Sequence, residues 1–103
     1  MNIQQMMKQA QALQMKVTAV QEELKGRELI GLAGGGKVKV TMNGAQEIVS
    51  VEIASDVVRP EETDLLEDLV LAACRDARSK VSAMVEAEMK KVTGGLGLPP
   101  GLF

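Results

Sequence analysis

Apolar residues recur along the first quarter of the chain with a helical step. Ile3, Met6, Ala10, Leu13, Val17, Val20 and Leu24 are separated by 3, 4, 3, 4, 3 and 4 positions, a heptad seam. Met7 widens the stripe, and Gln4, Gln9, Gln11, Gln14 and Gln21 fill the other faces. Asn2, with Gln5 three residues later, makes a capping-box-like start, and Gly26 a natural stop. One helix is therefore predicted over residues 2–26. At 1.5 Å per residue it reaches roughly 37 Å, whereas a compact domain of this size has a radius of gyration of about 13 Å. Such a helix crosses its whole domain or projects beyond it. Its seam needs a long partner, either the second helix or another copy of the chain.

After Gly26 the period changes. Glu28–Ala33 is short and apolar, Gly34-Gly35-Gly36 is a turn, and Lys37–Met42 alternates polar with apolar, which gives a strand with one buried face. Asn43-Gly44 predicts a type I′ hairpin turn into a third strand over Glu47–Ile53. Val49, Val51 and Ile53 would form the buried face of that strand, with Ile48 out of phase. Three strands in a meander are not stable alone, so helices or a second copy must cover them. Residues 55–62 connect, and Pro60 is placed to begin a helical turn. Thr63 is the expected cap of a second helix running to about Thr93, with Gly94 at its C-terminal cap. Leu65, Leu66, Leu69, Val70, Ala73, Ala77, Val81, Met84, Val85 and Val92 supply its apolar stripe. The expected fold class is α+β, a long helix, a three-stranded antiparallel meander and a long helix (α-β-β-β-α). One domain covers residues 1–93, followed by a Gly/Pro/Leu-rich tail over 94–103.

Composition narrows the chemistry. The 103 residues include no His, Trp or Tyr, and the single Phe is the last residue. The commonest general acid/base and metal ligand is thus missing, as are the aromatic platforms on which single-stranded nucleic acid stacks. A lone cysteine, Cys74, excludes an internal disulfide and a Cys-based zinc site. It sits among Ala72, Ala73 and Arg75, where a small packed residue is expected rather than a nucleophile. Gly31–Val38 nearly spells a phosphate-binding loop, G-x-x-x-x-G-K. Val38 stands where that loop needs Ser or Thr, and the segment feeds a strand instead of a helix, so it reads as a hairpin turn. Glu61, Glu62, Asp64, Glu67 and Asp68 suit a helix N-terminus and need no metal to explain them. No catalytic constellation, metal site, cofactor or small-molecule substrate is expected. The chain shows neither a targeting signal nor an apolar run of the roughly 20 residues that span a bilayer, so a soluble cytoplasmic protein is expected.

Net charge is −2, so no global basic field exists. The distribution is uneven. Residues 1–27 hold four cations against two acids, residues 75–103 five against three, and residues 59–74 one against five. The first helix and the distal half of the second can thus carry a basic surface on an acidic protein, more so if two copies present it together.

Four segments in this order resemble one family. They are Met-Met-Lys-Gln-Ala-Gln (6–11), Lys-Val-Lys-Val-Thr-Met-Asn-Gly (37–44), Leu-Leu-Glu-Asp-Leu-Val-Leu-Ala-Ala (65–73) and the ending Gly-Gly-Leu-Gly-Leu-Pro-Pro-Gly-Leu-Phe. Together they resemble the YbaB/EbfC family of bacterial nucleoid-associated proteins over essentially the whole chain. The resemblance implies an intimate, tweezer-like homodimer with helices as prongs, binding double-stranded DNA, organising the nucleoid and affecting gene expression. Family genes often neighbour those of replication and recombination, which implies possible repair partners. The chain departs from many relatives in starting directly at the helix and in carrying apolar Leu29–Ala33 before the hairpin glycines. No base-reading residue carries over. Chemistry and family location nominate Lys8, Lys16, Lys25, Arg27, Arg75, Arg78, Lys80, Lys90 and Lys91 for phosphate contact. Lys37 and Lys39 are second choices because they sit on the sheet. The alternative is a protein-interaction module, an adaptor that docks a recombination or repair partner through the heptad seam and the apolar tail.

Overall fold

The computed structural model describes residues 2–95. Helix α1 spans Ile3–Lys25, strands β1, β2 and β3 span Glu28–Ala33, Val38–Asn43 and Ile48–Ile53, and helix α2 spans Thr63–Gly95. The strands form one antiparallel sheet in the order β1-β2-β3, so the predicted α-β-β-β-α arrangement is what the chain adopts. The expected tail lies, from residue 96 onward, outside the described residues. As predicted, Asn2 caps α1, its side-chain oxygen accepting the Gln4 N–H at 3.0 Å.

The core lies between α2 and the β1–β2 half of the sheet. Val38, Val40 and Met42 alternate onto one face of β2 and are buried against Ala73, Ala77 and Val81 of α2. Small residues on the helix let it come close. At Gly31 of β1 an added Cβ would collide with the Ala73 carbonyl and the Ala77 amide, so only glycine admits the helix backbone at this spacing. Polar groups seal the same contact from the side. The Asp76 carboxylate accepts the Leu32 N–H at 2.9 Å, and Lys80 Nζ donates to the Ile30 carbonyl at 2.9 Å. These backbone groups belong to the outer edge of β1, which α2 thereby partly blocks.

The Leu32 N–H, and secondarily Lys80, hold the Asp76 carboxyl below its ordinary range. A depressed folded-state pKa contributes stability that is complete above the ordinary carboxylate range and is lost as pH falls through the folded value. Asp76→Asn is therefore expected to remove part of the acid sensitivity. Thermal melts of the two proteins at pH 7 and about pH 3 check this. A variant that loses as much stability on acidification as the parent would refute the clasp's contribution.

Four local expectations need correction. The Asn43–Glu47 hairpin is not type I′. Gly44 is not left-handed; the positive φ of 62° falls on Gln46 instead. Asn43 Oδ1 accepts the Ala45 and Glu47 amides, and Gln46 N–H bonds to the Asn43 carbonyl, building a three-residue loop. Gly44 is required for a different reason. Its N–H donates to the Leu24 and Arg27 carbonyls, and a Cβ there would strike the Leu24 carbonyl. Second, pairing shifts between Thr41 and Met42, so Met42 faces Ile48 and Val49 is the extra residue. Ile48, Val51 and Ile53 therefore share the core side of the sheet, and Val49 drops out of phase. Third, Thr63 is the first helical residue, not a cap. A 3-10 turn at Pro60–Glu62 leads straight into α2, and the Thr63 hydroxyl donates back to the Pro60 carbonyl. Fourth, α2 runs through Gly94 to Gly95. The Thr93 hydroxyl bonds to the Met89 and Lys90 carbonyls and supports the last turn.

Candidate nucleic-acid interface

The chain measures 69 × 21 × 16 Å, with a radius of gyration of 19.2 Å, well above the roughly 13 Å of a compact domain this long. The helices account for the difference. α1 is anchored at its C-terminal end, where Leu24 is buried and Val17 and Val20 are half-buried. Val17 and Leu24 face Val85 and Met89 of α2 across a shallow groove that Gly44 and Ala45 help to line. Toward the other end the heptad seam runs out of partners. Ile3 is 72% exposed, and Met6, Met7 and Met15 are also exposed. The seam is thus an intramolecular contact at its base and an open stripe at its tip.

The nominated cations separate into two groups. Lys8 and Lys16 on α1, and Arg75 and Arg78 on α2, are exposed; none belongs to an ion pair among the described residues. The other five are engaged. Lys25 pairs with Glu22 at 3.0 Å and Lys90 with Glu86 at 3.4 Å, each along its own helix. Lys80 pairs with Asp76 at 3.0 Å besides holding the Ile30 carbonyl. Arg27 and Lys91 converge on one carboxylate, Glu88, at 3.3 and 3.2 Å. The Lys91 ammonium, then the Arg27 guanidinium, keep the Glu88 carboxyl below its ordinary range. On the sheet, Lys37 pairs with Asp56 at 2.7 Å, whereas Lys39 points away from the core and is exposed.

The nearly phosphate-loop sequence is the β1–β2 turn. Gly34, Gly35 and Gly36 all have positive φ, and Ala33 and Gly34 carbonyls accept from Gly36 and Lys37 amides. The Lys37 side chain turns to Asp56. Among the described residues no group of three His, Cys, Asp or Glu side chains could hold a metal, and no helix is long and apolar enough to cross a membrane. Cys74 is half-buried beside the core, as its neighbours suggested.

Sequence reasoning missed the acids. Asp76–Lys80, Glu86–Lys90 and Glu88–Lys91 have helical i,i+3 or i,i+4 spacing and were readable as pairs. The Arg27–Glu88 pair, 61 positions apart, depends on the fold. A second surface is left uncovered by the chain's own helices. α2 covers β1 and β2, but β3 is left open, with Ile48, Val49, Val51 and Ile53 between 41% and 53% exposed. Val58, just beyond, adds to this apolar area.

The chain is similar to known proteins in sequence and in fold. The family profile described as YbaB/EbfC DNA-binding family matches residues 1–96. A nucleoid-associated protein from Clostridium novyi is 48% identical over 103 residues, covering 100% of this chain and 90% of its own. One from Rhodospirillum rubrum is 46% identical over 101 residues, covering 98% and 94%. A crystal structure of an uncharacterized protein from Helicobacter pylori superposes with a TM-score of 0.66 at 20% identity, covering 78% of this chain and 93% of that one.

Proposed function

Since the chain belongs to the YbaB/EbfC DNA-binding family, a family of nucleoid-associated proteins and not of enzymes, we propose that it grips duplex DNA as a homodimer through phosphate contacts from its projecting helices. The observation that carries this reading is the placement of Lys8 and Lys16. Both are exposed on the arm that extends from the body, and neither is paired with an acid among the described residues. On a protein of net charge −2, such cations are the groups able to exchange counterions with a phosphate backbone. The open apolar strip on β3 supports the homodimer. An exposed row of Ile48, Val51 and Ile53 beside a strand with one neighbour is unfavourable in water and is relieved by a second copy. Two copies double the cations facing one duplex. Architectural binding of this kind organises the nucleoid and alters gene expression by shaping DNA, without base contacts.

The test is binding of the purified protein to a random-sequence duplex across a salt series. Affinity is expected to fall linearly in log–log coordinates, by about 0.9 in slope for each phosphate contact, with little change between unrelated sequences. Absence of binding at about 50 mM salt, where such contacts are strongest, would overturn the reading.

A further inference from the structure

Glu88 differs from the other acids on the two helices. Glu22, Asp76 and Glu86 pair with a lysine three or four residues along the same helix. Glu88 Oε1 instead receives two cations from different elements, Arg27 from the segment joining α1 to β1 and Lys91 from α2, at 3.3 and 3.2 Å. The Arg27 and Lys91 side chains are 46% and 73% exposed, whereas that of Glu88 is 26% exposed. Two cations open to solvent thus aim at one oxygen held further in. A phosphate oxygen presents the same charge and acceptor geometry as that carboxylate oxygen, and offers a second oxygen for the arginine fork.

We propose that Arg27 and Lys91 form a preformed phosphate-contact site where the two helices leave the body, and that Glu88 is its resident competitor, displaced when a phosphodiester binds. This rests on the DNA-binding reading above and deepens it. Exposed ion pairs are weak, so exchanging a carboxylate for a phosphate is cheap for the protein. Arg27–Glu88 is also the one ion pair among the described residues that ties the α1 end to α2. Phosphate binding here therefore trades an internal tie for a contact with DNA.

The test compares duplex affinity over a salt series for the full chain and its Glu88→Gln variant. The amide keeps the size and removes the charge. Glu88→Gln is expected to bind about threefold to tenfold tighter near 0.1 M salt, with a slope steeper by about 0.9 for each cation released to phosphate. Glu86→Gln removes the same charge one half-turn away, from an ordinary pair, and is expected to change affinity less than about twofold. The same Glu88→Gln change made in an Arg27→Gln background is expected to lose most of its gain, and the four proteins close a double-mutant cycle that isolates the pairwise dependence. The proposal is overturned if Glu88→Gln binds no tighter than a wild type that does bind. An equal gain from Glu86→Gln, or a gain that survives Arg27→Gln, would overturn it too, because either outcome reports net charge alone. A wild type that binds no duplex at any salt removes the DNA reading itself, a result distinguishable from all of these. Circular dichroism melts of each variant verify that folding is intact.

Discussion

Gly31→Ala is expected to be among the most damaging single methyl additions in the molecule. The added Cβ would point into the backbone of α2 at Ala73 and Ala77. Backbone cannot rotate away as a side-chain tip can, so helix and sheet must separate along their main contact. Overpacking typically costs 1–3 kcal/mol, and a clash with backbone on both sides places this one at about 3 kcal/mol. For a domain of this size that lowers the melting temperature by roughly 12–24 °C. The comparison is Gly35→Ala in the β1–β2 turn. There a Cβ meets nothing within 4 Å but φ is 67°, so the cost is the left-handed backbone alone, about 1 kcal/mol. Melts of the two variants at one protein concentration separate the mechanisms. A Gly31→Ala protein that melts within about 3 °C of its parent would show that α2 does not sit this close to β1.

The double substitution Lys8→Gln, Lys16→Gln is expected to have the largest effect on DNA binding. Neither lysine is paired with an acid among the described residues, so the change removes phosphate contacts and leaves no acid newly unpartnered. Two lysines per chain make four contacts in a homodimer, and the salt slope should become shallower by roughly 3 to 4. A slope difference of that size amounts to about two orders of magnitude in relative affinity between 50 and 200 mM salt. The fold should be indifferent to the change, since both residues are exposed. A duplex titration at several salt concentrations, beside a thermal melt, measures both statements. An unchanged slope with intact folding would move the DNA surface off α1, toward Arg75 and Arg78.

The sequence carried the element order because its periodicities are strong. The heptad step of α1, the alternation of Lys37–Met42 and the apolar stripe of α2 each depend on local repetition. Where the reading failed, the deciding contact was remote. Gly44 looked like a turn residue, yet it is glycine because the end of α1 lies on it. Val49 fitted a period of two until a bulge set Ile48 opposite Met42. Gly31 read as the first glycine of a near phosphate-binding loop, and it is the seat of α2. The candidate interface followed the same rule. Its cations were legible from charge alone, but which of them were already engaged was not. Lys80 in particular partly blocks the β1 edge, and Arg27 meets an acid 61 positions away. Lys8 and Lys16 are unpaired because, among the described residues, no acid comes within ion-pair distance of them.

The two edges of the sheet are unlike each other. Along β1, Asp76 and Lys80 occupy two of the backbone groups that another strand would need, the Leu32 N–H and the Ile30 carbonyl, whereas β3 has a neighbour on one side only. Addition of strands from other molecules can then proceed in one direction. If two chains meet β3 to β3 about a two-fold axis, each consumes the other's more receptive edge, and both ends of the joined sheet are the partly blocked β1 type. Such an assembly favours two copies over elongation into a filament. In that arrangement the guard against further strand addition would be a carboxylate and an ammonium on the opposite side of the sheet.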